Sequence, residues 1–470
     1  MTRLFFILIL LLHGCVSIPD HELATVACES GLENNAADAM ESGDFISDGW
    51  PNPEWWKQFD DSVLNNLIES ALSSSPTLKL AEERLKTAAQ ISIEKRAALF
   101  PEIAFDGNEN YEHFSKYGFF RSVAPSVPPI VNDITLNLSY KWEIDFWGKY
   151  RDIFQAALGE VGARSAELDA AKLILTTSIA YDYEELQFML RKKEILEQKC
   201  KNNLSVWKIR QRREKHAIDT ALSVLGAQKD FLNAEALIVE LDNQILKQLH
   251  ELKALSGMGQ NVQLDIPLKQ LKDTLSSLPE NISLDLLARR PDLAAQKQRV
   301  EAAAKLINAA KTDFYPSVNL IGFAGLESIH WNTIFQAASF NGSLDPSVHL
   351  PIFTAGRIKA QLMEKVAEFN EAVFSYNSLI LQAAQEVADQ LTTIIKIQDE
   401  LVVRKISLDV VAKQEAITRA RVEHAVDDKI VLLQAQNNLL DTQLIFTSLE
   451  YGKQLANILL IRSLGGGAHD

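Results

Sequence analysis

The chain repeats itself, and the repeat limits its fold more than any other feature of the sequence. At an offset of 215, Pro76, Leu78, Arg84 and Ala88 meet Pro291, Leu293, Arg299 and Ala303, and Phe100-Pro101 meets Tyr315-Pro316. At an offset of 208, Gly148-Lys149 meets Gly356-Arg357, Arg213 meets Arg421, and "HAID" (216–219) meets "HAVD" (424–427). "LGAQ" (225–228) then meets "LQAQ" (433–436), and Gly257 meets Gly465. A register held over so long a stretch marks a duplicated unit. The offset changes between Pro101 and Gly148, so a connection there is seven residues longer in the first half.

Each unit reads as helix, strand, loop, strand, long helix, turn, helix. In the first, Ser62 to Leu99 is predicted helical with Asp61 or Ser62 as cap. Pro101 opens a strand over Glu102 to Asn108, and a loop rich in proline and aromatics runs from Tyr111 to Val131. The return strand alternates without a break: Ile134, Leu136, Leu138, Tyr140, Trp142 and Ile144 face one side, polar residues the other. In the second unit the helix covers Leu284 to Phe314, Pro316 opens "SVNLIGFAG", and "SLDPSVHLPI" returns. From Gly148 to Ala217, and from Gly356 to Ala425, each long helix would run about 100 Å. Leu222, Leu225 and Leu232, with Ile430, Leu433, Leu440 and Leu444 in the second half, have the spacing of a coiled-coil seam.

The N-terminus "MTRLFFILILLLHGC" places Arg3 before an apolar core and ends it at Gly14-Cys15, which fits a signal peptide and a lipid-modified cysteine. Val16 follows, with no aspartate to retain the protein at an inner membrane. The organisation expected is therefore a signal peptide at 1–14, a lipid-anchored linker at 15–49, and repeats at 50–260 and 261–470. Cys28 and Cys200 make no disulfide framework, and Cys200 reads as packing in a helix. A net charge of −15 argues against nucleic acid as partner.

Beyond the leader no run of eighteen apolar residues exists, so any membrane crossing must use strands. Four strands cannot close a membrane barrel, because closure begins at about eight. Chains must then pool their strands, two giving eight or three giving twelve. Tyr140, Trp142 and Trp147 suit an aromatic belt at the membrane surface.

"WEIDFWGK" (142–149), "RRPDLAAQKQRVEAAAKLINAAKTDFYPSVNL" (289–320), "PIFTAGRI" (351–358) and "WWKQFDDSVLNNLIESAL" (55–72) resemble signature segments of the TolC-type outer-membrane efflux proteins, specifically their lipoprotein (NodT-like) branch. The resemblance covers about residues 50 to 465. It implies a homotrimer forming a twelve-stranded β-barrel on a twelve-helix periplasmic α-barrel. It also implies partners, a periplasmic adaptor and an inner-membrane pump, and passive export of drugs or other small molecules across the outer membrane. A lipid-anchored coiled-coil scaffold or adhesin, or a duct for protein secretion or metal-ion export, are the alternatives. The scaffold leaves the alternating strand unexplained.

Members of that family usually carry R-Y-x-x-G-x-x-S-x-x-D-V-L at the periplasmic tip. In this chain Ala217 and Ala425 stand at the glycine, Thr220 and Asp428 at the serine, and Ser223 and Val431 at the aspartate. An alanine makes the turn harder if it needs positive φ. Thr220 and Asp428 read as caps of the helices that follow. His216 with Asp219, and His424 with Asp427 and Asp428, recur in both halves. In a trimer they would ring the narrow end, as part of a gate or adaptor contact whose carboxylates set cation preference. Arg289, Arg290 and Asp292 begin a helix, with Asp292 in its favourable first turn, and Gly257 reads as a helix stop. No nucleotide-binding, G-x-S-x-G or H-E-x-x-H motif is present, so no catalytic residues, metal ligands or cofactor are expected.

Overall fold

The computed structural model describes residues 18–26, 31–42, 45–46, 50–269, 276–278 and 289–467. The signal peptide, Cys15 and Cys28 lie outside them. In chain order the helices are α1 (Glu33–Ser42), α2 (Ser62–Ser74), α3 (Pro76–Ala97), α4 (Phe119–Val123), α5 (Lys149–Lys215), α6 (Ala221–Leu255), α7 (Pro291–Thr312), α8 (Arg357–Glu423) and α9 (Lys429–Ser463). The strands are β1 (Phe45–Ile46), β2 (Glu102–His113), β3 (Ile130–Ile144), β4 (Ser276–Ser277), β5 (Ser317–Ser328) and β6 (Phe340–His349). The duplication is written in the lengths. Helices α5 and α8 have 67 residues each, α6 and α9 have 35, and α3 and α7 have 22. Among the described residues no helix is long and apolar enough to cross a membrane.

Two compact units form, and each draws on both repeats. The first holds residues 85–164 and 296–376 with the N-terminal strap. Its centre is an antiparallel sheet in the order β2-β3-β5-β6. The register sorts the side chains. Tyr140 pairs with Ile103 and Gly322, Leu138 with Phe105 and Ala324, and Gly322 with Leu344. Because directly opposed residues share a face, this face is apolar on all four strands. The other carries Asp106 opposite Asn137, Glu143 opposite Asn319 and Asp345 opposite Ile321, with Lys141 opposite Glu102. Gly159 and Gly162 let α5 approach α7, since a Cβ at Gly159 would lie 3.0 Å from the Ala302 methyl.

The second unit holds residues 27–84, 165–295 and 377–470. Trp55, Leu64, Leu67, Ile68, Ile179, Tyr183 and Leu186 share its largest core. Asp61 ties the start of α2 to that core. One oxygen accepts from the amides of Val63 (2.9 Å) and Leu64 (3.3 Å), and the other from the Tyr183 hydroxyl at 2.8 Å. Lys269 Nζ stands 3.3 Å away. Burial opposes its ionisation, yet these donors outweigh burial and hold its carboxyl below the usual range.

Several expectations change. Ser75 takes an extended conformation before Pro76, which disfavours helix in the residue before it, so the first helix is two. Strand β2 runs on to His113, past the expected Asn108. Its alternation is obscured by Gly107 and Glu109 on the apolar face. The second-repeat helix is described from Pro291 rather than Leu284, and 279–288 lie outside the described residues. The linker expected at 15–49 packs where it is described: Ala24 N–H donates to Asn370 Oδ1 at 2.8 Å. Leu32, Ala39 and Phe45 join a core with Val387 and Leu391 of α8. The leucine seam holds in one hairpin only. Ile430, Leu433 and Leu440 are buried, but Leu222, Leu225 and Leu232 are exposed, because α6 packs through Ala227, Ala234, Leu241 and Ile245 instead.

Arg290 shows how the second unit is locked. The residue is 7% exposed, and its guanidinium donates to Asp292 (2.8 and 3.1 Å), to Glu386 Oε2 at 2.8 Å, and to the Ser463 carbonyl at 3.1 Å. Gly465, at φ 93°, passes so close that a Cβ would stand 2.7 Å from the Arg289 carbonyl. The R-P-D element is thus a clamp on the end of α9. Arg290→Ala is expected to cost about 2 kcal/mol through the charge-assisted bonds lost, read as a lower denaturation midpoint with unchanged far-ultraviolet circular dichroism below it.

Candidate functional site

The two turns that join α5 to α6 and α8 to α9 hold the paired motifs. Each is a Schellman stop. The Ile218 amide donates to the Arg213 carbonyl at 2.9 Å and Ala217 to Glu214 at 2.8 Å; Val426 donates to Arg421 at 2.8 Å and Ala425 to Val422 at 3.0 Å. This motif needs a left-handed residue, and Ala217 (φ 56°) and Ala425 (φ 57°) supply it. The same stop recurs at the other ends of α6 and α9. There Met258 donates to Lys253, and Gly466 to Ile461, with glycine at 257 and 465 in the left-handed position. At the turns themselves the chain accepts the strain of a Cβ, about 1 kcal/mol each.

The helices that follow are capped as expected. Thr220 Oγ1 accepts from the Ser223 amide at 3.2 Å, and Asp428 Oδ1 from the Ile430 amide at 3.2 Å. The aspartates do not form an open carboxylate cluster, because arginines one or two turns back along α5 and α8 take them up. Asp219 lies 3.6 Å from Arg210 Nη1, and Asp427 is held bidentate by Arg421 at 2.5 and 3.0 Å. Asp428 meets Arg213 Nη1 at 2.5 Å. This last pair ties one hairpin to the other. The Arg421 guanidinium holds the Asp427 carboxyl below its usual range. His216 and His424 point into solvent. Among the described residues no group of three or more His, Cys, Asp or Glu is placed to hold a metal ion.

The aromatics expected at a belt sit at the helix-bearing end of the sheet. Tyr140 and Trp142 lie on its apolar face, and the Trp142 indole donates to the Leu99 carbonyl at 3.2 Å. Trp147, half exposed just past β3, donates to the Pro316 carbonyl at 2.8 Å and stacks on Tyr315 at 5.0 Å. Ile134, expected on the open apolar stripe, is instead fully buried. It stands opposite Ser328, where the β5–β6 connection doubles back through Ser328 Oγ and Thr333 Oγ1 at 2.6 Å. The arginine ties were missed in the sequence. Their signal was the repetition of Arg213 and Arg421 in the same register as the two H-A-x-D turns.

Replacing Ala217 and Ala425 by glycine removes the Cβ strain, offset by glycine's larger entropy in the unfolded chain. A net gain of roughly 0.5 kcal/mol per turn is expected in chemical denaturation. Gly257→Ala and Gly465→Ala, made as controls, are expected to destabilise.

A sequence profile described as "Outer membrane efflux protein" matches residues 67–258 and 283–466. The multidrug resistance outer membrane protein MdtP of Escherichia coli K12 is 30% identical over 430 residues, covering 90% of this chain and 88% of that protein. MdtQ of Escherichia coli O6:H1 is 30% identical over 482 positions, covering 98% and 97%. The crystal structure of the outer membrane protein VceC from Vibrio cholerae superposes with a TM-score of 0.80 at 29% identity, over 89% of this chain and 100% of that one. The Campylobacter jejuni CmeC outer membrane channel shares the fold, with a TM-score of 0.85 at 22% identity over 97% and 95%. Repeat, sheet, paired long hairpins and these matches agree: the chain belongs to the outer membrane efflux protein family.

Proposed function

We propose that this chain is the outer-membrane duct of a tripartite export system for drugs or other small molecules. Three copies close a twelve-stranded barrel continuous with a helical tunnel, and Cys15 anchors each by lipid. A periplasmic adaptor and an inner-membrane pump deliver the cargo, so the duct does no catalysis. The observation that carries this reading is the four-stranded sheet with one apolar face, one acid-rich face and two open edges. An apolar face meets lipid and a polar face lines a lumen, while edges left open in lipid would forfeit their backbone hydrogen bonds. A periplasmic scaffold has no use for such a sheet.

The two turns form the gate or the adaptor contact. In this reading the Arg213–Asp428 tie holds the hairpins of one protomer together, and the Arg421–Asp427 and Arg210–Asp219 pairs stiffen each turn. The Arg213–Asp428 and Arg421–Asp427 pairs are part-exposed to solvent, so they weaken with salt. The Asp427 carboxyl, held below its ordinary value by Arg421, stays ionised and paired down through mildly acid pH, and the Arg421–Asp427 pair is lost only as pH falls through that lowered value. Hence the closed duct is expected to keep its low conductance from neutral pH to below the ordinary aspartate value of 3.8 and to open beneath it. Planar-bilayer recording checks this. Arg213→Ala and Arg421→Ala should give larger conductance steps already at neutral pH. A purified protein that conducts in no variant and at no pH would sink the duct reading.

A further inference from the structure

The loop between β2 and β3, residues 114–129, carries an aromatic cluster that none of the described residues covers. Tyr117, Phe119, Phe120 and Val123 are 91%, 77%, 65% and 68% exposed. The Phe114 and Phe120 rings stand 5.5 Å apart and those of Phe119 and Phe120 6.1 Å. We propose that these loops from three copies converge over the mouth of the barrel and form an aromatic constriction there, a barrier separate from the turns. The proposal rests on the trimeric duct reading.

Sidedness carries it. His113 pairs with Ile130, and the ladder runs one step further, where the Phe114 amide donates to the Pro129 carbonyl at 2.7 Å. Alternation along the strand then puts Phe114 on the face of Asp106 and Glu112, the polar face. Phe120, packed on Phe114, follows it to that side. The β5–β6 connection goes the other way: the Trp331 indole donates to Glu109 at 2.9 Å, and Glu109 lies on the apolar face beside Ile134. One loop therefore leaves the rim toward the lumen and the other toward the lipid.

Composition and placement agree. Between His113 and Val131 the loop has Lys116 and Arg121 and no acidic residue, while the strands below present Asp106, Glu112 and Asp133 on the same face. Twelve strands about 4.8 Å apart, tilted by about 40°, enclose a radius of roughly 12 Å. Each loop is folded rather than extended: the Gly118 amide donates to the Ser115 carbonyl at 3.0 Å and Phe120 returns to Phe114, so the aromatic cluster stands at the rim on the lumen side and narrows a mouth of that radius. The occupant of each aromatic face is the same loop of the other two copies, since only they share the lumen at that level. Hydrophobic constrictions of this kind gate by dewetting rather than by charge.

Tyr117→Ser, Phe119→Ser and Phe120→Ser, combined in the Arg421→Ala background that loosens the turns, test it in planar bilayers. The expected result is a rise in single-channel conductance of about twofold over Arg421→Ala alone, with the native mass unchanged. Equal conductance from an intact trimer would overturn the constriction. Should the triple variant fail to assemble, or the parent fail to conduct, Phe119→Cys with Cys28→Ser and Cys200→Ser decides. Mild oxidation of assembled protein is expected to link chains in pairs through position 119, and absence of that link would overturn the proposal. A non-conducting parent whose loops nevertheless cross-link would count against the duct and not against the convergence of the loops.

Discussion

The backbone hydrogen bonds of β2 and β6 are the constraint on which the rest of this molecule depends. Both are edges of the four-stranded sheet, and one face of that sheet is mainly apolar, from Ile103 and Tyr140 to Phe105 and Leu138. In water an edge can be solvated. In hydrocarbon every unpaired amide and carbonyl costs several kcal/mol, and among the described residues no segment pairs with either edge. Another copy of the chain supplies edges of matching length, β2 of 12 residues and β6 of 10. The fold therefore prescribes association before any side-chain contact between chains is considered. The exposed row Leu222, Leu225 and Leu232 on α6 points the same way from a separate part of the chain, for a leucine seam left open within a protomer is a seam for a neighbour.

The helical hairpins follow a second economy of design. Four helix ends use the same Schellman stop, and glycine fills the left-handed position at two of them while alanine fills it at the two hairpin turns. Strain and charge pairing thus meet at the same few residues. The turns are held largely by arginine–aspartate pairs, of which Arg421–Asp427 and Arg213–Asp428 stand part-exposed, and pairs near solvent are weak and salt-sensitive. A segment stabilised in this way stands at the low-stability end of a structure and opens at small cost. The R-P-D clamp is the contrast: Arg290 is buried, multiply bonded and built to stay.

Much of this was legible in the sequence because it rests on local rules. The duplication, the alternating strand β3, the caps Thr220 and Asp428 and the helix stop at Gly257 each follow from periodicity or from one residue's chemistry. What was not legible depends on tertiary partners. Ile134 belongs to the alternating stripe, yet a loop from the other repeat covers it. The segment after Val16 has no period, because its apolar residues are spaced to meet two long helices rather than to face one way along their own. The seam on α6 runs through alanines, which carry little hydrophobic signal but allow close helix approach. At the turns the recurrence of the histidines and aspartates was visible, but not their pairing. The arginines lie one or two turns back along the helices, and only the backtracking chain brings them together.

Native mass of the full-length protein, extracted into a membrane-mimicking detergent, tests the central claim most directly. Completion of the open sheet by its own kind predicts a single species of three chains, stable on dilution. A monodisperse monomer with its strands intact would contradict the account, for it would mean that both edges are satisfied by something other than a neighbouring copy.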